Sequence, residues 1–303
     1  MWHTIRIVAS QIVPEEGLEI RRANKLLKAV DDLAVSGFFW LTRGVGQVPK
    51  GKPSHELQNA LQIRLVSAES GNFKMYCRPF SQTLGQRPEL FDVPDESFWN
   101  LTPFGIILQV IASVKRRETE DMDAHVLRPI AGLKSFFRYR DESLVFSNQS
   151  ASSSVELTLS DAIEIAKIES QIPAPKRIRI VGTLDKIDEN ASKIAIVTEN
   201  GKLEGLMSRR TNELPALYGE SVEVQGTVHY CASGRVRIIE VERITPAGNA
   251  VPGRIPHFLS TEKIVEEQLR HGKLRNPLQQ IIGQWPGDEP LDELLQALDD
   301  VRR

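Results

Sequence analysis

The stretch RIRIVGTLDKI, residues 177–187, alternates apolar and polar side chains in the pattern of a half-buried β-strand. Four further runs of strand-forming residues follow it: KIAIVTEN (193–200), KLEGLMS (202–208), SVEVQGTVHY (221–230) and RVRIIEVERI (235–244). Turn-forming residues separate these runs, as in Glu199-Asn200-Gly201 and Ala232-Ser233-Gly234. Residues 176–246 are therefore predicted to form a five-stranded β-domain.

The order of these strands resembles that of the OB-fold, a small five-stranded barrel. Three strands come first, then a segment long enough for a short helix (209–219), and then two more strands. Gly182 and Gly226 stand in the middle of the first and fourth strands, where sharp coiling or a bulge can close a barrel. An SH3-like barrel is the competing architecture. Because such folds host many functions, this resemblance predicts a fold and no particular activity.

Residues 1–146 are predicted to form an N-terminal mixed α/β domain. A strand at residues 4–8 precedes a helix over about 16–35, in which apolar residues recur at three-four spacing and which Gly37 is expected to end. Residues 61–77 alternate in the manner of a β-hairpin across a Ser/Gly/Asn turn. The fold class is therefore α+β, with several domains in one chain.

The segment 147–175 is predicted to connect the two domains. It opens with the Ser-rich run SNQSASSS (147–154), continues with a short helix, and closes with the proline-containing run QIPAPK (171–176). We place the domain boundary near residue 172.

The C-terminal residues 247–303 are predicted to form a helical tail. Acidic residues and a proline at 287–290 suit the first turn of a last helix, where free amide groups favour them. A tryptophan anchor followed by an amphipathic acidic helix fits a groove on a partner, although packing on the chain's own barrel is the alternative. The candidate partner-binding residues are Trp285, Leu291, Leu294, Leu295, Leu298 and Val301.

The tail sequence GQWPGDEPLDELLQALDDV (283–301) is similar to the tails of uncharacterised bacterial proteins. The similarity is carried by Gly283, Trp285, Pro286, Gly287, Asp288 and Glu289, followed by Glu293-Leu294-Leu295. Some of those proteins are encoded near toxin–antitoxin or antiviral defence genes. The resemblance therefore implies a bacterial origin and a role in such a system.

Composition and charge indicate an ordinary globular protein of the cytoplasm. Hydrophobic residues make up 41% and charged residues 26% of the chain, and its formal net charge is −2. The apolar stretches are too short to span a membrane, and the first residues lack the pattern of an export signal. Two cysteines far apart in the sequence predict neither a disulfide framework nor a zinc site.

Nucleic-acid binding by the barrel is an alternative function. The residues that would bind phosphate are Arg177, Arg179, Lys193, Lys202, Arg209, Arg210, Arg235 and Arg237. Glutamates interleave with them, and the second and third strands carry no aromatic side chain on which a base could stack.

Known catalytic motifs are incomplete in this chain, so we expect no catalytic residue, no metal and no cofactor. GQVPKGKP (46–53) has the Gly-Lys frame of a phosphate-binding loop, but Pro53 replaces the hydroxyl residue that holds magnesium. His55-Glu56 lacks the second histidine of a metalloprotease helix. An enzyme whose residues are scattered along the sequence stays an alternative.

The leading hypothesis is a non-catalytic adaptor or sensor with a protein partner or a second copy of itself as its ligand. The two alternatives are nucleic-acid binding through the barrel and an enzyme with an unrecognised site.

Overall fold

A computed structural model describes residues 1–8, 18–49, 53–69, 71–85, 96–148, 154–188, 192–199, 201–207 and 214–248. These residues form two β-sheets, of which one is a closed barrel, together with helices. Of the predicted helical tail, residues 249–303 lie outside the described part of the chain. Within the described residues, no helix combines the length and the apolar character that crossing a bilayer requires.

The first sheet and its helices occupy the chain as far as Gln171. In order, the elements are β1 (Trp2–Val8), α1 (Ile20–Arg43), α2 (His55–Ala60), β2 (Arg64–Glu69), β3 (Asn72–Tyr76), α3 (Phe80–Thr83), α4 (Pro103–Lys115), α5 (Ala124–Gly132), β4 (Ser143–Asn148), β5 (Ser154–Thr158) and α6 (Leu159–Gln171). Short 3-10 helices lie at Glu96–Asn100 and Leu133–Ser135.

The first sheet is antiparallel, with the strand order β2-β3-β1-β4-β5. Ile5 of the central strand lies opposite Phe73 on one side and Phe146 on the other, and all three side chains are buried. His3 is buried on the same face and stacks on Phe104 of α4, with 4.6 Å between the ring centroids. This inner face and the helices therefore share one hydrophobic core.

Helix α1 is longer than the sequence predicted, because Gly37 does not end it. A Cβ on Gly37 would lie 2.6 Å from the Cγ2 atom of Ile106 in α4, so the glycine allows the two helices to approach closely. The helix ends instead at Gly44, whose φ of 80° is the left-handed conformation that favours glycine at this position.

The segment expected to be a linker contributes a strand and a helix to the first core. Strand β5 pairs antiparallel with β4, and Leu157 lies opposite Leu144. Thr158 caps α6 in a capping box with Asp161, and Ile165 of that helix is buried. Strands β4 and β5 are close together in the sequence, but the Ser-rich composition of residues 147–154 does not reveal their pairing. The domain boundary near residue 172 stays a prediction.

The predicted five-stranded barrel is confirmed. Its strands are β6 (Lys176–Asp188), β7 (Lys193–Thr198), β8 (Gly201–Met207), β9 (Ser221–Tyr230) and β10 (Val236–Pro246), with a 3-10 helix at Leu214–Leu217. The order around the barrel is β10-β8-β7-β6-β9. Strands β8 and β10 are parallel and the other pairs are antiparallel, an arrangement consistent with an OB-like barrel.

Two glycines allow the barrel strands to coil, as the sequence predicted. A Cβ on Gly226 would lie 2.3 Å from the carbonyl oxygen of Glu240, and one on Gly182 would lie 2.5 Å from that of Val197. The register of β10 shifts between Val241 and Arg243, directly beside Gly226. At both positions a side chain would press on backbone of the neighbouring strand, which cannot move aside easily.

The barrel contacts the N-terminal part of the chain through the turn after β9. Ala232 and Ser233 donate backbone hydrogen bonds to the carbonyl oxygens of Met122 and Glu120, at 2.8 and 3.1 Å. The backbone of Cys231 forms an isolated antiparallel bridge with Asp123. Beside these polar contacts, Val45, Leu206 and Ile238 form a small apolar cluster. Both kinds of contact fix the barrel against the helices.

We predict that Gly226→Ala destabilises the protein by about 2–4 kcal/mol, because the added methyl group overlaps the backbone of β10. Gly132→Ala is the matched control, since a Cβ there meets nothing within 4 Å and the residue is helical. The control should be neutral or slightly stabilising. Urea unfolding of both variants measures this difference, and equal midpoints would contradict the role assigned to Gly226.

A second prediction concerns His3. Its burial and the nearby N-terminal charge lower its pKa to about 4. Since the unfolded pKa is about 6.5, the unfolded chain takes up a proton first as the pH falls. Stability is therefore complete above the unfolded pKa and declines as the pH approaches the folded pKa, by about 3 kcal/mol in all.

In His3→Phe this part of the pH dependence of stability should disappear. The part that comes from the carboxylates is common to the variant and the wild type and should remain. His55→Phe, at an exposed position, should keep the wild-type dependence. Urea unfolding measured across the acidic range tests this, and a His3→Phe profile parallel to that of the wild type would contradict it.

Candidate functional site

A groove of about 510 Å³ lies between α1 and α5. This volume falls in the range of ligand-binding clefts. The apolar residues Ala29, Val35, Val48 and Pro129 line the groove, together with Ser36 and Ser135. We call it the α1–α5 groove.

Helical periodicity places the charged residues of the groove along its rim. Lys25, Lys28 and Asp32 follow one another at three-four spacing on α1, and His125 and Arg128 do so on α5. The two helices pack directly on each other, and the polar side chains project where they separate. The rim is therefore mainly cationic, with one carboxylate.

The cations of the rim differ in how far they are already paired. Arg128 Nε lies 2.9 Å from a carboxylate oxygen of Glu169, whereas Lys25 Nζ lies 3.4 Å from the hydroxyl of Ser135. Within the described part of the chain, neither Lys25 nor Lys28 forms an ion pair with a carboxylate. The end of the groove near Ser135 therefore offers the free positive charge.

The other end of the groove is held by the carboxylate of Asp123, which is 3% exposed. Asp123 accepts a hydrogen bond of 2.6 Å from the backbone N–H of Gly46, and it caps α5 by accepting from the N–H groups of His125 and Val126. A Cβ on Gly46 would lie 2.7 Å from Val126, so only glycine lets the loop come this close. Asp123 thus joins the loop after α1 to the start of α5.

The phosphate-loop frame of the sequence begins beside this groove. Gly46 and Val48 line the groove, while residues 50–52 lie outside the described part of the chain. A phosphate-binding loop would need a strand before it. The residues that could have formed that strand, FFWL (38–41), belong instead to the last part of α1.

Four of the eight basic residues predicted to bind nucleic acid on the barrel form ion pairs with carboxylates. The ion pairs are Arg177–Glu242 at 2.5 Å, Arg179–Glu223 at 3.1 Å, Lys202–Asp185 at 2.7 Å and Arg235–Asp121 at 2.8 Å. Such pairs cancel much of the field that would attract a polyanion.

The other predicted basic residues are scattered or undescribed. Lys193 is half-buried on β7, and Arg237 is half-buried against Gly44, with its Nε atom lacking a hydrogen-bond partner in the described residues. Arg209 and Arg210 lie outside the described residues. The structure therefore does not gather the predicted set into one basic patch among the residues that it describes.

The barrel surface that OB-folds use for nucleic acids is also partly occupied. In such folds the second and third strands and the loop between the last two strands contact the ligand. Here that loop, residues 231–235, holds the N-terminal part of the chain through Met122 and Asp121. Leu206 of β8 packs against Val45 beside it.

The predicted partner-binding residues of the tail all lie outside the described residues. They are Trp285, Leu291, Leu294, Leu295, Leu298 and Val301. Within the described ranges, no group of three or more His, Cys, Asp or Glu side chains is placed to hold a metal ion.

Comparisons with protein-family models, with curated proteins and with solved structures found no match. The function of the chain is therefore inferred from its own geometry.

Sequence reasoning missed the α1–α5 groove. Its lysines were visible as a polar face of a helix, but His125 and Arg128 are about one hundred residues away and approach them only through packing. One usable signal was the run Met122-Asp123-Ala124, where an aspartate precedes an apolar helix as an N-cap.

We predict that Asp123→Ala costs about 2–4 kcal/mol, because three backbone N–H groups lose their acceptor. Ser54→Ala is the control, since Ser54 caps α2 at an exposed position and accepts from Leu57 alone. Its loss should be about 1 kcal/mol or less. Urea unfolding compares the two variants, and an Asp123→Ala protein as stable as Ser54→Ala would contradict the proposed role of this carboxylate.

Proposed function

We propose that the protein is a non-catalytic adaptor or sensor that holds an acidic, amphipathic segment of a protein partner in the α1–α5 groove. The observation that carries this proposal is the combination of apolar residues with cations along one groove between α1 and α5. Apolar lining residues favour leucine-like side chains, and unpaired lysines favour carboxylates.

The length of the groove suits a short helix or an extended peptide. Lys25 and Ser36 mark its extent along α1, and eleven helical steps correspond to about 16 Å. Recognition of this kind places the apolar face of a peptide in the groove and its polar face toward solvent. A segment of about ten residues would span the site if it were helical.

Charge supports an acidic partner in particular. Lys25 and Lys28 stand one turn apart on the rim, so a helical partner with carboxylates at three-four spacing could meet both. Arg128 adds a third cation, although Glu169 already contacts it. Asp32 near the opposite end would repel an acid there, which favours a partner whose negative charge is concentrated at one end.

The proposal includes a cytoplasmic role in a bacterial defence or toxin–antitoxin system. Its support is the resemblance of residues 283–295 to the tails of proteins encoded near such genes, together with the charge balance of the chain. Conserved gene neighbours of that kind would agree with it, and unrelated neighbours would count against it.

Photo-crosslinking from inside the groove tests the proposal. A photoreactive residue in place of Ala29 lies in the groove, and one in place of Ile163 lies on the exposed face of α6 as a control. Irradiation in cells that carry the native gene should give a discrete protein adduct from position 29 that is absent from position 163. Identical adducts from both positions, or none from position 29, would oppose the proposal.

We predict that Lys25→Glu/Lys28→Glu weakens binding of the crosslinked partner by about tenfold or more, because repulsion replaces attraction at the rim. Lys167→Glu, on α6, changes a charge outside the groove and should bind as the wild type does. Isothermal titration with the purified partner measures both affinities. Equal affinities for the two variants would show that the lysines do not contact the partner.

A further inference from the structure

The first sheet has a second face, opposite the core, which we call the open face. Its residues include Trp2, Thr4 and Arg6 on β1, Lys74 and Tyr76 on β3, and Arg64 on β2. These side chains alternate with the buried Ile5, Phe73 and Met75, so the pleat directs them away from the core. Trp2 is 41% exposed.

Two aromatic rings lie side by side at one end of the open face. Trp2 and Tyr76 are direct cross-strand partners, and their ring centroids are 5.1 Å apart at an interplanar angle of 61°. On a sheet, rings of this kind form a surface on which unpaired bases can stack.

Two cations lie beside these rings, and a third lies further along β1. Lys74 Nζ lies 4.8 Å from the centroid of the Trp2 ring, and Arg64 is the cross-strand partner of Tyr76. Arg6 lies two positions after Thr4 on the same face of β1, and its side chain is exposed. Within the described ranges, Arg6, Arg64 and Lys74 form no ion pair with a carboxylate.

The acidic residues of the open face lie away from the rings. Along the strand direction, Glu69 on β2 and Glu156 on β5 lie at the same level as Arg6 on β1. One strand separates each of these glutamates from β1. The end that carries Trp2 and Tyr76 is therefore cationic, and the acids occupy the sheet margins at the other end.

We propose that the open face binds single-stranded nucleic acid, with bases stacked at Trp2 and Tyr76 and phosphates held by Arg64, Lys74 and Arg6. Every base offers a flat apolar face, so stacking of this kind tolerates many sequences. A duplex hides its bases and would gain only the phosphate contacts. The barrel is not needed for this interaction, and the site lies outside the α1–α5 groove.

A second copy of the chain fits the open face less well. A twofold axis through the end that carries Trp2 and Tyr76 would bring Arg64 and Lys74 of both copies together, and like charges in a buried interface repel strongly. A polyanion neutralises the same charges and releases counterions.

Fluorescence anisotropy with labelled oligonucleotides tests the proposal on the full chain. The probes are single-stranded oligo-dT and oligo-U of about 20 nucleotides and a duplex of equal length. We expect binding of the single strands at low salt, weaker binding of the duplex, and a steep loss of affinity between about 50 and 200 mM salt. No binding of either single strand at low salt, or tighter binding of the duplex, would overturn the proposal.

The variants separate stacking from charge. Trp2→Ala should weaken binding of oligo-dT by about tenfold or more, whereas Trp2→Phe, which keeps a ring, should recover much of that loss. Lys74→Ala/Arg64→Ala should weaken binding and reduce its salt dependence. If Trp2→Ala fails to fold, Trp2→Phe still tests the stacking contact. Quenching of tryptophan fluorescence by oligo-dT should be weaker in Trp2→Phe than in the wild type. Unchanged quenching in that variant would contradict the contact.

Two further variants serve as controls for location. Lys25→Glu/Lys28→Glu alters the α1–α5 groove and Lys202→Ala alters the barrel, and both should bind oligo-dT as the wild type does. Loss of binding in either control with normal binding in the open-face variants would place the nucleic acid elsewhere and overturn the proposal. Because the groove is tested with a protein partner, either proposal can fail without the other.

Discussion

The buried residue Asp123 joins three parts of the structure through its carboxylate and its backbone. One carboxylate oxygen accepts from the backbone N–H of Gly46, the other caps α5, and the backbone of the same residue bridges to Cys231 at the barrel. A loop, a helix and the barrel therefore meet at one residue. Because an unpaired buried carboxylate would be costly, this arrangement tolerates little variation in its partners.

The contact between the barrel and the helices also limits what the barrel can bind. The loop that OB-like barrels present to ligands is used here to hold residues 120–123, and its Arg235 is paired with Asp121. Arg177 and Lys202 of the barrel are also paired with carboxylates, which weakens the field that they would offer a polyanion. The position of the barrel is better suited to bracing the N-terminal part than to holding a polyanion.

The sequence predicted the features that depend on local pattern. Alternation of apolar and polar residues predicted the barrel strands. Gly182 and Gly226 were identified because glycine inside a strand usually marks a close approach of neighbouring backbone. The end of α1 was wrong, since Gly37 is required by Ile106 of a different helix and not by a turn. Strand β5 was missed for a different reason: residues 147–154 are Ser-rich and predicted a linker, whereas Ser154–Thr158 pairs with β4, the strand just before it. The α1–α5 groove combines residues from distant segments, so periodicity within one segment could not show it.

The two surfaces proposed for binding are separated by the core itself. Inner-face residues such as His3 contact α4, and α1 packs on α4 and α5, so the groove belongs to the helical side of the sheet. Trp2 and Lys74 project from the other side, since side chains alternate along a strand. No described residue belongs to both surfaces. A protein segment in the groove and a nucleic acid on the open face would therefore not compete for the same atoms, and coupling between them would have to pass through the shared core.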